Sequence, residues 1–65
     1  MREYSNSQIR DVIMEWIHSE RDQRILCLRF IRGWTLERIA EDTGMSVKQV
    51  QRIVYKLQEQ VFKHI

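Results

Sequence analysis

Apolar side chains recur at intervals of three and four along most of this chain, and nowhere alternate as a half-buried strand would. Ile9, Val12, Ile13, Trp16 and Ile17 make one stripe on a first helix. Ser5 and Gln8 have the spacing of a capping box at its start, and Tyr4 and Ile9 that of a hydrophobic staple. Ser19 caps a second helix, with Glu20 and Asp22 in the first turn, where acidic groups suit the helix dipole. Ile25, Leu26, Cys27, Leu28, Phe30 and Ile31 make this helix apolar on more than one face, so it is expected to lie deepest. Gly33 ends it, where a left-handed backbone is favoured.

Thr35 opens a third, short helix, with Trp34 and Ile39 as its staple. Ile39 and Ala40 face inward; Glu37, Arg38, Glu41 and Asp42 face out. Gly44 stops it. Ser46 restarts a helix at once, with Gln49 as capping-box partner and Met45 and Val50 as staple. Val50, Ile53, Val54, Leu57 and Val61 carry the fourth helix onward. The pattern predicts helices over roughly 6–18, 20–32, 36–43 and 47–62, an all-α four-helix fold in one domain spanning 1–65. Ala40 stands four residues before Gly44 and Val50 six after it. A small residue for close approach, a glycine turn and an apolar residue to fill the crossing make a helix-turn-helix.

The net charge of +2 changes little in this picture, but its distribution does. Residues 1–42 hold seven basic and eight acidic side chains, whereas residues 43–58 hold Lys48, Arg52 and Lys56 and no acid. With Val50 at the centre of the buried face and about 100° per residue, Lys48, Arg52 and Tyr55 point away from the core with Lys56 beside them. Gln49 and Gln51 flank that strip. Arg and Lys can donate to guanine O6 and N7, and Gln can pair with adenine, so the strip has the chemistry of a major-groove reader. Val47 can meet a thymine methyl, and Ser46 sits at a helix start that favours phosphate. Glu59 would be repelled by phosphates, so contact is expected to stop near Lys56. A basic helix face alone is usually solvated surface. Here the glycine turn, the core spacing and the absence of acid agree, and the expected DNA-binding set is Ser46, Val47, Lys48, Gln49, Gln51, Arg52, Tyr55 and Lys56.

Other chemistries find little support. Cys27 is the single cysteine; within an apolar helix it reads as a small hydrophobe suited to a reducing cytosol. His18 and His64 lie far apart and outside any metal-ligand spacing. His18 is expected to face the last carbonyls of the first helix, and His64 to sit at a frayed end. Asp11 with Glu15, and Glu41 with Asp42, read as surface acids. There is no phosphate loop, and 65 residues leave little room for a substrate pocket, so neither an enzyme nor a cofactor or metal is expected. No apolar run approaches the ~20 residues that span a bilayer, and the polar start "MREYSNS" is unlike a signal peptide, so a cytoplasmic protein is expected.

Residues 21–61, "RDQRILCLRFIRGWTLERIAEDTGMSVKQVQRIVYKLQEQV", resemble the region-four DNA-binding domain of bacterial sigma factors, and more weakly the LuxR-type DNA-binding domain. The resemblance rests on "R-I-L-x-L-R", "T-L-E-R-I-A-E-D-T-G-M-S" and the "V-x-x-I" helix. It implies that the fourth helix enters the major groove of a promoter's upstream element through Val47, Lys48, Gln51 and Arg52. Housekeeping members carry Arg, Glu, Arg and Gln at those positions, which points to a different target here. The chain has no room for a promoter-melting domain, so the resemblance implies a small stand-alone regulator of the kind found on phages and mobile elements. It also implies contact with RNA polymerase, and a protein adaptor that docks there without reading DNA is the alternative. Trp16 and Trp34 read as core or staple residues in either case. Leu57, Val61 and Ile65 continue the inward stripe beyond the reach of the short third helix. That predicts a homodimer through the C-terminal ends, against a monomer closed by Phe62 folding back on Trp16 and Ile17.

Overall fold

The computed structural model describes residues 4–65. The first three residues of the polar start lie outside that description, as does their share of the 1–65 domain. Four helices follow in order: α1 (Asn6–Trp16), α2 (Glu20–Phe30), α3 (Leu36–Thr43) and α4 (Val47–Lys63). Each starts where a local hydrogen bond can start it. The hydroxyls of Ser5, Ser19, Thr35 and Ser46 accept the backbone N–H three residues on, at 3.1, 3.4, 3.2 and 3.1 Å. Gln8 and Gln49 close reciprocal capping boxes on Ser5 and Ser46. Tyr4, Trp34 and Met45, the outer members of the three expected staples, are half-buried against the core.

Two helix ends come earlier than the periodicity predicts. α1 stops at Trp16, because Ile17 turns extended (φ −106°, ψ 115°) and sinks to 3% exposure. The Gln23 side-chain amide donates to the freed Ile17 carbonyl at 2.6 Å. His18 therefore stands beyond the helix, exposed, and not over its last turn. α2 stops at Phe30, and Gly33 follows at φ 73°. The turn is held by the Trp34 N–H donating to the Leu28 carbonyl at 3.0 Å and by Arg29 Nη1 donating to the Trp34 carbonyl at 2.9 Å.

The core has two lobes joined by α2, which explains the apolar breadth of that helix. Ile25 and Leu28 pack with Ile39, Ala40, Val50 and Val54 between α2, α3 and α4. Leu26 packs with Ile9, Ile13, Ile17 and Val61 between α2, α1 and the end of α4. The first lobe sets the crossing of α3 and α4. The second fastens the far end of α4, so the long helix is held along its length.

The second lobe also corrects the reason for expecting a dimer. Val61 is fully buried, and Leu57 and Ile65 pack beside it on the lobe to which α1 contributes Ile9 and Ile13. The stripe that α3 cannot reach is thus covered from within. Phe62, 36% exposed, meets Phe30 edge-on at 5.2 Å and Tyr4 at 5.8 Å, rather than Trp16 as the monomer alternative had it. Trp16 is 39% exposed rather than core, and its ring lies flat on His64 at 3.9 Å and 5°. His64 is thereby engaged at the terminus where fraying was expected.

One surface ion pair links α2 to α3. Arg24 of α2 grips Asp42 of α3 with both Nε (2.8 Å) and Nη2 (3.1 Å). The hydrogen bond from Arg24 holds the Asp42 carboxyl below its usual range. A depressed carboxylate adds stability above its unfolded value of about 3.9, and that stability is lost as pH falls through the folded value. Asp42→Asn is therefore expected to melt below wild type at pH 6, with the gap closing below about pH 4. Thermal melts across that range check it. Because the pair is exposed, the gap is expected to be small and to shrink in salt.

Candidate nucleic-acid interface

The turn between α3 and α4 is built on Gly44, at φ 72° and ψ 19°. The Gly44 N–H donates to the Ala40 carbonyl, and the Met45 N–H donates to the same oxygen at 3.1 Å. Thr43 Oγ1 donates to the Ile39 carbonyl at 2.9 Å. The Ile39 and Ala40 carbonyls of the last turn of α3 are thus engaged, and Ser46 opens α4 immediately. Ala40, 7% exposed, lies at the crossing with Ile39 and Val50, both fully buried. Ser46→Ala is expected to cost about 1 kcal/mol, seen as a melting temperature lower by roughly 4–8 °C, whereas Ser46→Asp should keep the cap.

The outward face of α4 is as the periodicity predicts. Lys48, Arg52, Tyr55 and Lys56 are exposed, as are Ser46, Val47 and Gln49; Gln51 is half-buried. Tyr55 is the most open of the exposed large hydrophobic side chains among the described residues, at 55%. Ile53 and Leu57, expected inward, are half-buried at the margins of the stripe. Lys48, Arg52 and Lys56 stand four residues apart, so their row is about 12 Å long, close to the width of the B-DNA major groove. Among the described residues both ion pairs belong to α2, Arg21 with Asp22 and Arg24 with Asp42. Among the described residues Lys48, Arg52 and Lys56 are in no ion pair. Like charges four apart on a helix repel by a few tenths of a kcal/mol per pair. A polyanion laid along the row removes that repulsion and gains the attraction.

Other basic groups near the turn are spoken for, and the sequence reading did not assign them. The Arg38 guanidinium lies 4.2 Å from the Trp34 ring centre, and Arg29 holds the Trp34 carbonyl. The four-residue spacing of Trp34 and Arg38 was a readable signal for their stacking. The pairing of Arg24 with Asp42 joins two helices and had no local signal.

No helix of the described residues is long and apolar enough to cross a membrane. No curated protein and no solved structure is similar enough to stand beside this chain. The family described as Sigma-70, region 4 matches residues 19–56, from the cap of α2 to the last cation of the α4 row. That span is more than half of the chain and contains the whole first lobe of the core and the glycine turn. The chain therefore belongs to the Sigma-70 region 4 family of helix-turn-helix DNA-binding domains.

Proposed function

We propose that this protein reads double-stranded DNA sequence-specifically by placing α4 in the major groove, and that it acts in the cytoplasm as a small transcriptional regulator. The observation that carries this is the exposed, acid-free row of Lys48, Arg52 and Lys56 on the second helix of the glycine-turn pair. In such pairs the first helix crosses the DNA backbone and the N-terminal part of the second meets base edges. Lys48, Gln51 and Arg52 are the base-reading group. Val47 lies against a thymine methyl, and Ser46, Tyr55 and Lys56 hold phosphates. Small regulators of phages and mobile elements are the setting that the family resemblance suggests.

Selection of bound duplexes from a random pool tests the reading: one consensus supports it, and equal recovery of all sequences refutes it. Lys56→Ala should weaken all sequences alike and reduce the slope of log K against log salt by about 1, as one lost phosphate contact does. Affinity titrations from low to moderate salt measure this.

A module of this size typically buries about 600–1,000 Å² on DNA, and selective binding usually needs more. A second copy or RNA polymerase would supply the rest. With the α4 stripe closed by α1, a homodimer would have to form through the Phe62 edge of the C-terminal helix and would require an inverted-repeat site. Light scattering on the free protein and on its DNA complex, with the symmetry of the selected sites, separates the two.

The adaptor reading is favoured by one feature. A groove of about 300 Å³ runs between α1 and α2, lined by Arg10, Met14, Cys27, Ile31 and Arg32 among others. Met14 is 51% exposed there, and burial pushes the Cys27 thiol up, leaving it a neutral apolar wall. The groove takes no residue from α3 or α4, so a protein bound there would leave the DNA row free. Met14→Asp is expected to abolish co-purification with RNA polymerase while leaving duplex affinity unchanged. Loss of duplex binding in that variant would count against two separate surfaces.

A further inference from the structure

The N-terminal turn of α4 holds two glutamines two residues apart, and their amides are not equivalent. The Ser46 backbone N–H donates to Gln49 Oε1 at 3.1 Å, while the Gln49 backbone N–H donates to Ser46 Oγ at 3.1 Å. Only the oxygen of the amide can accept from an N–H, so the chemistry fixes which way the Gln49 amide faces. Its Oε1 is turned back onto the helix start, and its NH2 group is what remains. Reading adenine takes both ends of the amide at once, one donating to N7 and one accepting from N6. Gln49 cannot do that without giving up the cap that begins the recognition helix.

We propose that Gln49 is a cap and a phosphate donor rather than a base reader, so that adenine falls to Gln51 and the rest of the N-terminal reading face selects guanine. This rests on α4 being the groove helix. Lys48 and Arg52 carry donors and no acceptor, and the free end of Gln49 is likewise a donor. Donors of this kind match the two acceptors of guanine best, and they gain nothing from the cytosine amino group. Gln51 is half-buried beside them and is engaged in no capping box. The expected half-site therefore has guanine opposite Lys48 and Arg52 and a single glutamine-read adenine.

Gln49→Glu tests this cleanly, because a carboxylate oxygen can accept from the Ser46 N–H and keep the capping box. It removes the spare NH2 and adds an anion. Duplex selection with wild type, Gln49→Glu and Gln51→Ala is the experiment, with thermal melts alongside. The expected result for Gln49→Glu is an unchanged consensus and a melting temperature no lower than that of wild type, since an acid in the first turn suits the helix dipole. Its affinity should fall by a common factor on every sequence, roughly three- to tenfold at low salt, as an anion near phosphates requires. Gln51→Ala should lose base preference at one position. A Gln49→Glu consensus altered at one base, such as adenine giving way to cytosine, would overturn the proposal while leaving α4 as the reader. A wild-type consensus of A·T pairs alone would overturn it as well. Wild-type protein that selects no sequence at all would remove the groove-helix reading itself, and this proposal with it.

Discussion

Lys48→Ala together with Arg52→Ala is expected to abolish the preference of this protein for its selected duplex over random DNA. Each base-reading side chain is worth about 1–3 kcal/mol of discrimination. The two contributions should not simply add. Lys48 and Arg52 are neighbours four apart on one helix face, and removing one relieves repulsion on the other. The double variant is therefore expected to lose about 2–4 kcal/mol of specific affinity rather than the full sum. Both side chains are exposed and outside every ion pair of the described residues, so folding should not suffer. Relief of like-charge repulsion should even raise the melting temperature slightly. Duplex titrations with the selected site and a scrambled one, beside thermal melts, measure both effects. Retained specificity in a folded double variant would mean that α4 is not the reading helix.

The separation between stability and binding in that experiment follows from how the chain distributes its charges. Acids and bases of the first three helices can serve one another, as Arg24 and Asp42 do across α2 and α3. α4 has no acid before Glu59, so its row of cations stays available. A surface helix meant only for solvent gains from mixed charges four apart. This helix forgoes that gain along the stretch the family match covers.

What could be read from the sequence tracks how local each interaction is. All four N-caps were legible, since a hydroxyl and an N–H three residues on make the whole device. The outward face of α4 was legible because 100° per residue fixes direction once Val50 is known to be inside. The early ends of α1 and α2 were not. Ile17 leaves the helix to reach a lobe shared with Val61, and Gln23 then takes its carbonyl, so the cause lies in distant parts of the chain. The same holds for Trp16, which periodicity places in the core and His64 draws to the surface as a stacking partner. Phe62 is a third case: its ring partners, Phe30 and Tyr4, come from two other segments. At the interface, the capping box of Gln49 was visible in the spacing. That Gln51 is half-buried depends on the packed edges of α4, which no local pattern reveals.

Gly44→Val is expected to unfold the protein or to loosen the crossing of α3 and α4 enough to end DNA binding. No atom stands within 4 Å of where a Cβ on Gly44 would lie, so a steric clash with neighbours is not the cause. The cause is the backbone itself, held at φ 72° so that Ser46 can cap α4 two residues later. A left-handed residue costs roughly 1–2 kcal/mol for an ordinary L side chain, and a β-branched one is a genuine outlier there. The turn cannot relax elsewhere cheaply, because the Gly44 and Met45 N–H groups both donate to the Ala40 carbonyl and Met45 is packed on the core. Each kcal/mol lowers the melting temperature of a domain this size by roughly 4–8 °C. Asn tolerates the left-handed region better than other non-glycine residues, so Gly44→Asn should melt well above Gly44→Val. Space is open at the Cβ of either replacement, so the pair compares the two residues' tolerance of the left-handed backbone. The ordering wild type, then Asn, then Val in thermal melts supports the turn as described. Equal melting temperatures for wild type and the Val variant would mean that the left-handed turn is not what joins the two helices.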